Sequence, residues 1–544
     1  MTASATRTPP PPGLAPRLTT EPRGPRLSPR QRDRLTVAGP AALAAVLCFT
    51  SLTGRGLGFD EAATVTIAAQ HGAKLMSGIA HDGGNMSGFY VLLHVLMSWF
   101  GNGTLVLRLP SALASVATVA CTAAIGLRLF GRRAGLAAGL LGAVSLPLIF
   151  WAQNARGYAL MVAFVCAAYL VFIAQRDKPR LVGWIAYAVL MSLATYSSFV
   201  AVLVIPAQLL TLLPRGQRRR LLPFSVSLLG IAALCTPLIL LAARRGSGQL
   251  FWVPRPTREI EVQVLQSLTS AGLEPSFHPT ATTTLLLVLT VGLVIATAAA
   301  IISGWRPGRD RESWGEGRER WGGALVLSWL MVPVLATLVY SLLFQPLFLP
   351  RNLLMSVPAV AILLGAGVAH PRFSPRTTWI ALGVLLVLRG LQVVPSYATS
   401  PEPWREASAY VLAHDRPGDC MAFYPADGRM AFQYYFARRS DRSGRLPRPI
   451  LPVVPFGKVH SYVEDYATLT PGQITRRGAS CRRLWFVSSH EGQPDGPARS
   501  RANRARFKQL EARLEHAFGR GHIRQFGYAS AIHVQLLLGH RRSG

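Results

Sequence analysis

The stretch Gly58-Phe59-Asp60-Glu61-Ala62 places two adjacent carboxylates just after the first long apolar run of the chain, residues 35–54. That run is close to the roughly 20 residues that a helix needs to cross the ~30 Å hydrocarbon core of a bilayer. Asp60 and Glu61 are therefore expected at a membrane surface. Most acids in this position are only the solvated end of a helix, so a chemical role for the pair depends on the rest of the chain.

Apolar residues make up 50% of the 544 residues, and the mean hydropathy is +0.30. They come in long blocks rather than at the spacing of an amphipathic helix, which predicts a polytopic membrane protein. The net charge of +32 could suggest nucleic acid. However, the arginines fall in short clusters between the apolar blocks, as the positive-inside rule explains. We therefore expect no nucleic-acid partner.

This pattern divides the chain into three regions: residues 1–34, 35–395 and 396–544. Residues 1–34, rich in Pro and Arg, cannot bury a core and are predicted to be a disordered basic cytoplasmic tail. Residues 35–395 form a transmembrane module with a long first external loop, 56–104. Within that loop, residues 86–100 are interpreted as a helix lying on the membrane, because a crossing there would invert the placement of every later basic cluster.

The transmembrane module contains further apolar segments separated by polar turns. The predicted spans are residues 35–54, 105–127, 134–150, 158–174, 181–197, 199–213, 221–243, 281–303, 324–344, 353–369 and 377–394. The basic turns between them indicate about eleven crossings of the plasma membrane, with the N-terminus cytoplasmic and the C-terminus external.

Residues 396–544 have the composition of a soluble domain, predicted to be external and of the α/β class. Helices are expected at 402–414 and 502–518, and strands at 420–424, 484–488 and 531–537. Cys420 and Cys481 stand near the starts of two of these strands in an oxidising compartment, so a disulfide is expected between them. No clustered Cys or His pattern indicates a zinc site.

The stretch at 58–62 resembles the Asp-Glu motif of the GT-C glycosyltransferases, in particular the bacterial family-39-like branch related to protein O-mannosyltransferases and lipid A aminoarabinose transferase. Further segments resemble that branch in the same order: FYVLLH at 89–94, RLPSA at 108–112, LFGRRAG at 129–135, QNARGYAL at 153–160, LPRN at 349–352 and WREA at 404–407. The resemblance runs through most of the chain. The chain departs from the branch where GNMSG at 84–88 replaces the usual His-Pro-Pro, and where Asn154 replaces an acid.

The resemblance implies transfer of a sugar from a polyprenyl phosphate to a hydroxyl on the outer face of the membrane. Asp60 is the expected general base, because a base must lie within hydrogen-bond reach of the attacking hydroxyl. Glu61, the other member of the catalytic pair, is expected to hold the loop or a backbone group. The leaving phosphate needs cationic stabilisation, for which Arg156 and Arg351 in short external turns are the candidates. Alternatively, Arg156 only extends to the membrane interface.

His81 and Asp82 are candidates to contact the acceptor or a divalent cation. The alternative is that the two side chains are merely solvated in a polar loop.

The leading hypothesis is an integral membrane glycosyltransferase that moves a sugar, with mannose the first candidate, to a glycan, lipid or protein of the cell envelope. One alternative is a transporter or flippase of a lipid-linked glycan intermediate. The charges here lie in loops and no internal repeat is visible, whereas transporters place charges near the midplane of repeated units. The other alternative is a non-catalytic envelope assembly protein.

Overall fold

The computed structural model describes residues 28–245, 253–273, 280–303, 314–370, 372–438, 447–453, 466, 468–494, 498–527 and 531–539. The membrane module consists of α1 Pro29–Phe49, α2 Phe59–Ala68, α3 Ala73–His81, α4 Ser87–Phe100, α5 Thr104–Phe130, α6 Arg132–Ala143, α7 Leu146–Ala152, α8 Tyr158–Asp177, α9 Leu181–Ser197, α10 Ile205–Leu212, α11 Leu221–Leu234, α12 Thr236–Arg245, α13 Arg258–Thr269, α14 Ala281–Ser303, α15 Trp314–Leu343, α16 Val357–Ala369 and α17 Pro375–Ser396. Short 3₁₀ turns, Phe199–Val204 and Pro350–Ser356, lead into α10 and α16.

The predicted apolar segments coincide with helices of this module. α9 and α14 have the predicted bounds, whereas the segments 134–150 and 221–243 are each divided into two helices, bent by 56° and 57°. Pro147 and Pro237 lie at the second position of α7 and α12. Proline has no N–H to donate to the carbonyl four residues earlier, so it interrupts a continuous helix but is tolerated in the first turn of a new one.

The start of α1 corrects the predicted tail. The helix begins at Pro29, within the segment 1–34 that was expected to be disordered. Ser28 and Gln31 form a reciprocal capping box, and Pro29 occupies the first helical position, which suits its fixed φ angle. Residues 1–27 lie outside the described part of the chain.

By length and composition, six helices of the described residues can cross a membrane, or eight if each bent pair is one span. The predicted count of about eleven also includes α1, α9 and residues 199–212, the last two being shorter apolar helices of 17 residues or fewer. The polytopic helical class is confirmed, and the number of crossings stays a prediction.

Close packing in the module depends on small residues. A Cβ atom at Gly365 in α16 would lie 2.4 Å from the carbonyl oxygen of Ala134, and one at Gly135 in α6 would lie 2.7 Å from that of Ala123 in α5. Glycine is therefore required at both positions, because it lets helix backbones approach where any side chain would separate them. This packing fixes the position of α5, which carries a residue of the candidate site.

The C-terminal domain is an α/β domain, as predicted. Its elements are α18 Trp404–His414, β1 Asp419–Tyr424, α19 Gly428–Phe436, β2 Arg448–Leu451, α20 Pro471–Gly478, β3 Arg483–Ser488, α21 Ala498–Phe518, β4 His522–Phe526 and β5 Ile532–Leu538. The sheet order is β2-β1-β3-β5-β4, with β1 parallel to β2 and β3, and β5 antiparallel to β3 and β4. Cys420 in β1 is bonded to Cys481, which precedes β3, with 5.5 Å between the Cα atoms.

Candidate active site

Asp60 and Glu61 occupy the first turn of α2, where the helix dipole favours negative charge. Consecutive residues of an α-helix point about 100° apart. The two carboxylates therefore face different surroundings.

Glu61 is almost fully buried, with 2% of the side chain exposed. Its carboxylate forms a two-point ion pair with Arg108 of α5, at 2.9 Å to Nε and 2.8 Å to Nη2. The backbone N–H groups of Ala155 and Gly58 also donate to it, at 2.7 and 3.1 Å. Burial would raise the pKa of Glu61, but Arg108 and these two donors hold it below its ordinary value. Glu61 is thus a fully bonded positioning group.

Arg108 extends the same network to the loop before α2. Its remaining N–H groups donate to the carbonyl oxygens of Leu52 at 3.0 Å, Arg55 at 3.1 Å and Gly56 at 2.9 Å. Together with the two bonds to Glu61, these contacts use all five N–H donors of the guanidinium. The pair therefore fixes the connection from α1 to α2 against α5.

Asp60 is held more loosely and faces a cavity. Its side chain is 46% exposed, and its Oδ2 lies 3.4 Å from Nη1 of Arg351 and 3.7 Å from Nη2 of Arg156. Burial would raise the pKa of Asp60, but Arg156, Arg351 and His490 outweigh this and hold it below its ordinary value of 3.8. Asp60 is therefore an ionised, accessible carboxylate between two guanidinium groups.

The two arginines come from turns far apart in the sequence. Arg156 lies between α7 and α8, and its Nη1 donates to the Asp60 carbonyl at 3.4 Å and to Thr64 Oγ1 at 3.2 Å. Arg351 lies in the 3₁₀ turn before α16. Their side chains are 13% and 23% exposed. The structure thus brings both predicted phosphate ligands to the predicted base, with their charges facing one cavity.

The cavity has a volume of about 720 Å³ and lies between the membrane module and the C-terminal domain. Asp82 is among its lining residues and accepts a hydrogen bond of 2.7 Å from the Tyr90 hydroxyl. Burial raises the pKa of Asp82 to about 6, although Arg156 opposes the shift. His81 is not among the lining residues, so the structure does not bring the predicted His81 and Asp82 together in this site.

A metal site is not evident in the part of the chain that the structure describes. There, no group of three or more His, Cys, Asp and Glu side chains is placed to hold a metal ion. Among the described residues, no third Asp, Glu, His or Cys side chain is placed beside His81 and Asp82 to complete a divalent-cation site.

The C-terminal domain contributes two groups that the sequence did not reveal. Glu402 accepts from the backbone N–H of Phe59 and lies 3.3 Å from Nε2 of His490, through its other oxygen. The imidazole lies 4.9 Å from the Phe59 ring, between centroids. Burial would lower the pKa of His490, but Glu402 and Asp60 raise it above its ordinary value. The WREA segment next to Glu402 was the available signal for that residue, whereas nothing in the sequence marks His490.

The same domain also holds the loop that presents Asp60. Arg405 donates to the carbonyl oxygens of Gly54 at 2.7 Å and of Thr53 and Arg55 at 3.1 Å each. The Tyr435 hydroxyl accepts from the Leu57 N–H at 2.5 Å. The position of α2 is therefore set by contacts from both parts of the protein: Arg108 of the membrane module and Arg405 and Tyr435 of the C-terminal domain.

A family model matches part of this chain. Residues 88–241 match the model described as dolichyl-phosphate-mannose-protein mannosyltransferase. This segment runs from α4 to α12 and includes Tyr90, Arg108 and Arg156 of the site. No curated protein matches the sequence.

Solved structures match nearly the whole chain. ArnT from Cupriavidus metallidurans in the apo state has 13% sequence identity and a TM-score of 0.53, over 92% of this chain and 97% of that chain. ArnT bound to undecaprenyl phosphate has 14% identity and a TM-score of 0.51, with the same coverage. The archaeal oligosaccharyltransferase AglB from Archaeoglobus fulgidus, in complex with an inhibitory peptide and a dolichol-phosphate, has 10% identity and a TM-score of 0.53, over 95% of this chain and 75% of that chain.

At these identities the structural matches show a common fold, while the family model adds a relationship in sequence for the segment around the site. The resemblance seen in the sequence motifs is confirmed at this level. The chain has the GT-C fold and is related, through residues 88–241, to the protein mannosyltransferases.

Proposed function

We propose that this protein is an integral membrane glycosyltransferase that takes a sugar from a polyprenyl-phosphate donor and transfers it to a hydroxyl of a cell-envelope acceptor. The observation that carries the proposal is the convergence of Asp60, Arg156 and Arg351 on one cavity. Undecaprenyl phosphate and dolichol-phosphate bound to proteins of the same fold support a polyprenyl carrier. Mannose is the first sugar to test, because the matching family model names it.

Donor binding changes the surroundings of Asp60. The phosphodiester of the donor carries one negative charge, and paired guanidinium groups bind such an anion strongly. Arg156 and Arg351 both contact the same oxygen of Asp60, so the phosphate competes with Asp60 for them. As the arginines turn to the phosphate, the pKa of Asp60 rises and the carboxylate becomes a stronger base.

The transfer step forms one bond and breaks one bond at the anomeric carbon of the sugar. The acceptor oxygen attacks the anomeric carbon on the face opposite the phosphate, and the bond from that carbon to the phosphate oxygen breaks. The electron pair of the broken bond stays on the polyprenyl phosphate, where Arg156 and Arg351 stabilise the added charge. The acceptor proton passes to Asp60, whose partial exposure lets it return the proton to water.

The proposal includes an orientation in the plasma membrane. The N-terminus is cytoplasmic and the C-terminal domain external, as the distribution of basic turns predicts. The reaction then takes place on the outer face. Reporter fusions at the two ends should report opposite sides of the membrane, and fusions that report the same side would contradict this orientation.

The test of the function is transfer by purified protein in lipid, supplied with a panel of radiolabelled polyprenyl-phosphate sugars and envelope extract. Wild-type protein should release or transfer label from one donor, and Asp60→Asn should not. Asp33→Asn is the matched control, because Asp33 is 44% exposed and also paired with an arginine, Arg132, outside the cavity. Failure of the wild type to act on any donor would contradict the proposal.

A further inference from the structure

The cavity has a second wall, built by the C-terminal domain at one edge of its sheet. β1 and β3 are parallel, so their carboxyl ends meet at the same edge. Asp427 follows β1, residues 490–493 follow β3, and the start of α21 provides Ser500, Asn503 and Arg504. All of these contribute to the lining of the cavity. Ligands of open α/β sheets bind outside the carboxyl ends of the strands, and this edge opens towards Asp60.

Polar groups on this wall form a connected set around Glu491. Its Oε1 accepts from the Ser488 hydroxyl at 2.6 Å and lies 2.9 Å from Nδ1 of His533. Its Oε2 pairs with Nη1 of Arg504. Glu491 is 10% exposed, whereas Arg504 and His533 are each 34% exposed. The carboxylate thus orients two side chains that keep polar surface towards the cavity.

A buried amide adds an acceptor to this wall. Asn503 lines the cavity and is 1% exposed. Its side-chain oxygen has no hydrogen-bond partner within the described ranges of the chain. Buried polar atoms are nearly always bonded, so an exception at a cavity indicates a missing ligand or water.

The charge of this wall differs from that around Asp60. Around Asp60, two arginines face one carboxylate, and the resulting excess of positive charge suits an anionic ligand. At the sheet edge, Glu491 balances Arg504, and Asp427 lies 3.9 Å from Arg429. The wall also includes imidazole and amide groups and the ring of Tyr466. A hydroxyl group both donates and accepts, so a wall with interspersed donors and acceptors and no excess charge suits a neutral, hydroxyl-rich ligand.

His490 links this wall to the base. It precedes Glu491 in the chain, and its ring lies against Phe59, the residue before Asp60. A ligand bound at the sheet edge therefore lies in the same cavity as the carboxylate that would take its proton.

We propose that the carboxyl edge of the C-terminal sheet binds the acceptor and that the acceptor is a neutral glycan. The inference rests on the proposed function. Arg504 and Asn503 bind hydroxyls of the glycan, and Glu491 is a positioning residue that orients Arg504 and His533.

Direct binding tests the inference without knowledge of the donor. Full-length protein in detergent is exposed to mannotriose, arabinotriose and maltotriose, to glycerol phosphate as an anionic headgroup, and to a short Ser/Thr peptide. Saturation-transfer NMR reports which probe binds. At least one trisaccharide should bind, and Arg504→Gln and Asn503→Ala should weaken it by about tenfold, as expected for loss of a bond to a charged or buried group.

Arg520→Gln is the matched control, because Arg520 is 88% exposed and is not among the lining residues. Binding of undecaprenyl phosphate should be unchanged in all three variants, which shows that they are folded. The inference is overturned if the peptide or glycerol phosphate binds in place of the glycans, if no trisaccharide binds, or if Arg504→Gln binds as the wild type does. Donor hydrolysis that depends on Asp60, without glycan binding, would overturn this inference and leave the proposed function standing. Glycan binding without any donor turnover would contradict the proposed function and leave the glycan site at the sheet edge standing.

Discussion

The two sides of the first turn of α2 hold adjacent carboxylates in opposite environments. On the inner side, Glu61 is 2% exposed and receives four hydrogen bonds at 2.7 to 3.1 Å. On the cavity side, Asp60 is 46% exposed and its nearest cations lie at 3.4 and 3.7 Å. A buried carboxylate whose oxygens are fully hydrogen-bonded fixes the local structure. An exposed carboxylate with longer contacts to its cations can give up those contacts when a substrate binds.

This comparison shows why an Asp-Glu pair is useful at the edge of a membrane. In the proposed reaction, Glu61 holds the loop in place, so that Asp60 keeps its position while Arg156 and Arg351 turn to the donor phosphate. Precise positioning of reacting groups contributes much of the rate enhancement in enzymes. The two roles predict opposite consequences of removing each charge, and the first two experiments below separate them.

The largest expected effect is on stability, from Glu61→Gln. The substitution leaves the charge of the buried Arg108 without its counterion, which typically costs about 3–5 kcal/mol when one partner of a buried pair is removed. Denaturant unfolding in detergent measures the loss. Asp33→Asn breaks the half-exposed pair with Arg132 and should cost about 1 kcal/mol or less. Equal losses in the two variants would contradict the inner-side role of Glu61.

The next effect is on turnover, from Asp60→Asn. Asparagine keeps size and polarity but cannot take a proton, so transfer should fall by at least the ~10²-fold typical of a lost general base. Donor binding should not weaken, because the two arginines remain and no longer share their charge with Asp60.

Unfolding of the same variant provides the cross-check. Asp60 is half exposed, so Asp60→Asn should change the unfolding free energy by about 1 kcal/mol or less. Loss of stability with turnover intact would mean that the roles of Asp60 and Glu61 are the reverse of those proposed.

Sequence reasoning predicted the class of fold because apolar blocks of membrane length are a strong signal. It missed β2, because a strand of four residues is too short to show an alternating pattern, and β4, because its residues are mostly exposed. At the site, the resemblance singled out Asp60, Arg156 and Arg351, which the structure brings together. It also gave the two acids different roles, with Asp60 as the base and Glu61 holding the loop. It did not identify the partners of Glu61, because Arg108 and Ala155 are distant in sequence. His490 was missed because the docking of two domains, and no local pattern, places it beside Phe59.

A third, smaller effect is expected on donor affinity, from Arg351→Gln. Loss of one charge-assisted bond to the phosphate should weaken binding of undecaprenyl phosphate by about tenfold to thirtyfold. Arg351→Lys keeps the charge without the planar fork and should lose less. Arg156 is a poorer choice for this test, because it also bonds to the Asp60 carbonyl and Thr64. Wild-type affinity in Arg351→Gln would remove Arg351 from the phosphate site.

The smallest effect is a pH dependence from Asp82. The pKa of Asp82 is raised to about 6 by burial, with Arg156, Tyr90, Asp60 and Arg245 as the charged or titratable groups around it. Below this pH the side chain is neutral, and above it a negative charge competes with the donor phosphate for Arg156. Donor affinity should therefore fall as pH rises through about 6, by roughly fivefold, the ~1 kcal/mol expected from one charge several ångströms away in a partly hydrated cavity.

Binding of a phosphodiester donor analogue between pH ~5 and ~7 measures this effect, because the phosphodiester keeps one charge throughout that range. In the free protein Asp60 is ionised in this range, because Arg156 and Arg351 outweigh its burial and hold its pKa below the ordinary value. The pKa of His490 lies above 6.5, so its loss of positive charge also weakens binding, but at higher pH. Asp82→Asn should remove the step near pH ~6 and leave the later one. A step that persists in Asp82→Asn would assign the titration to another group of the cavity.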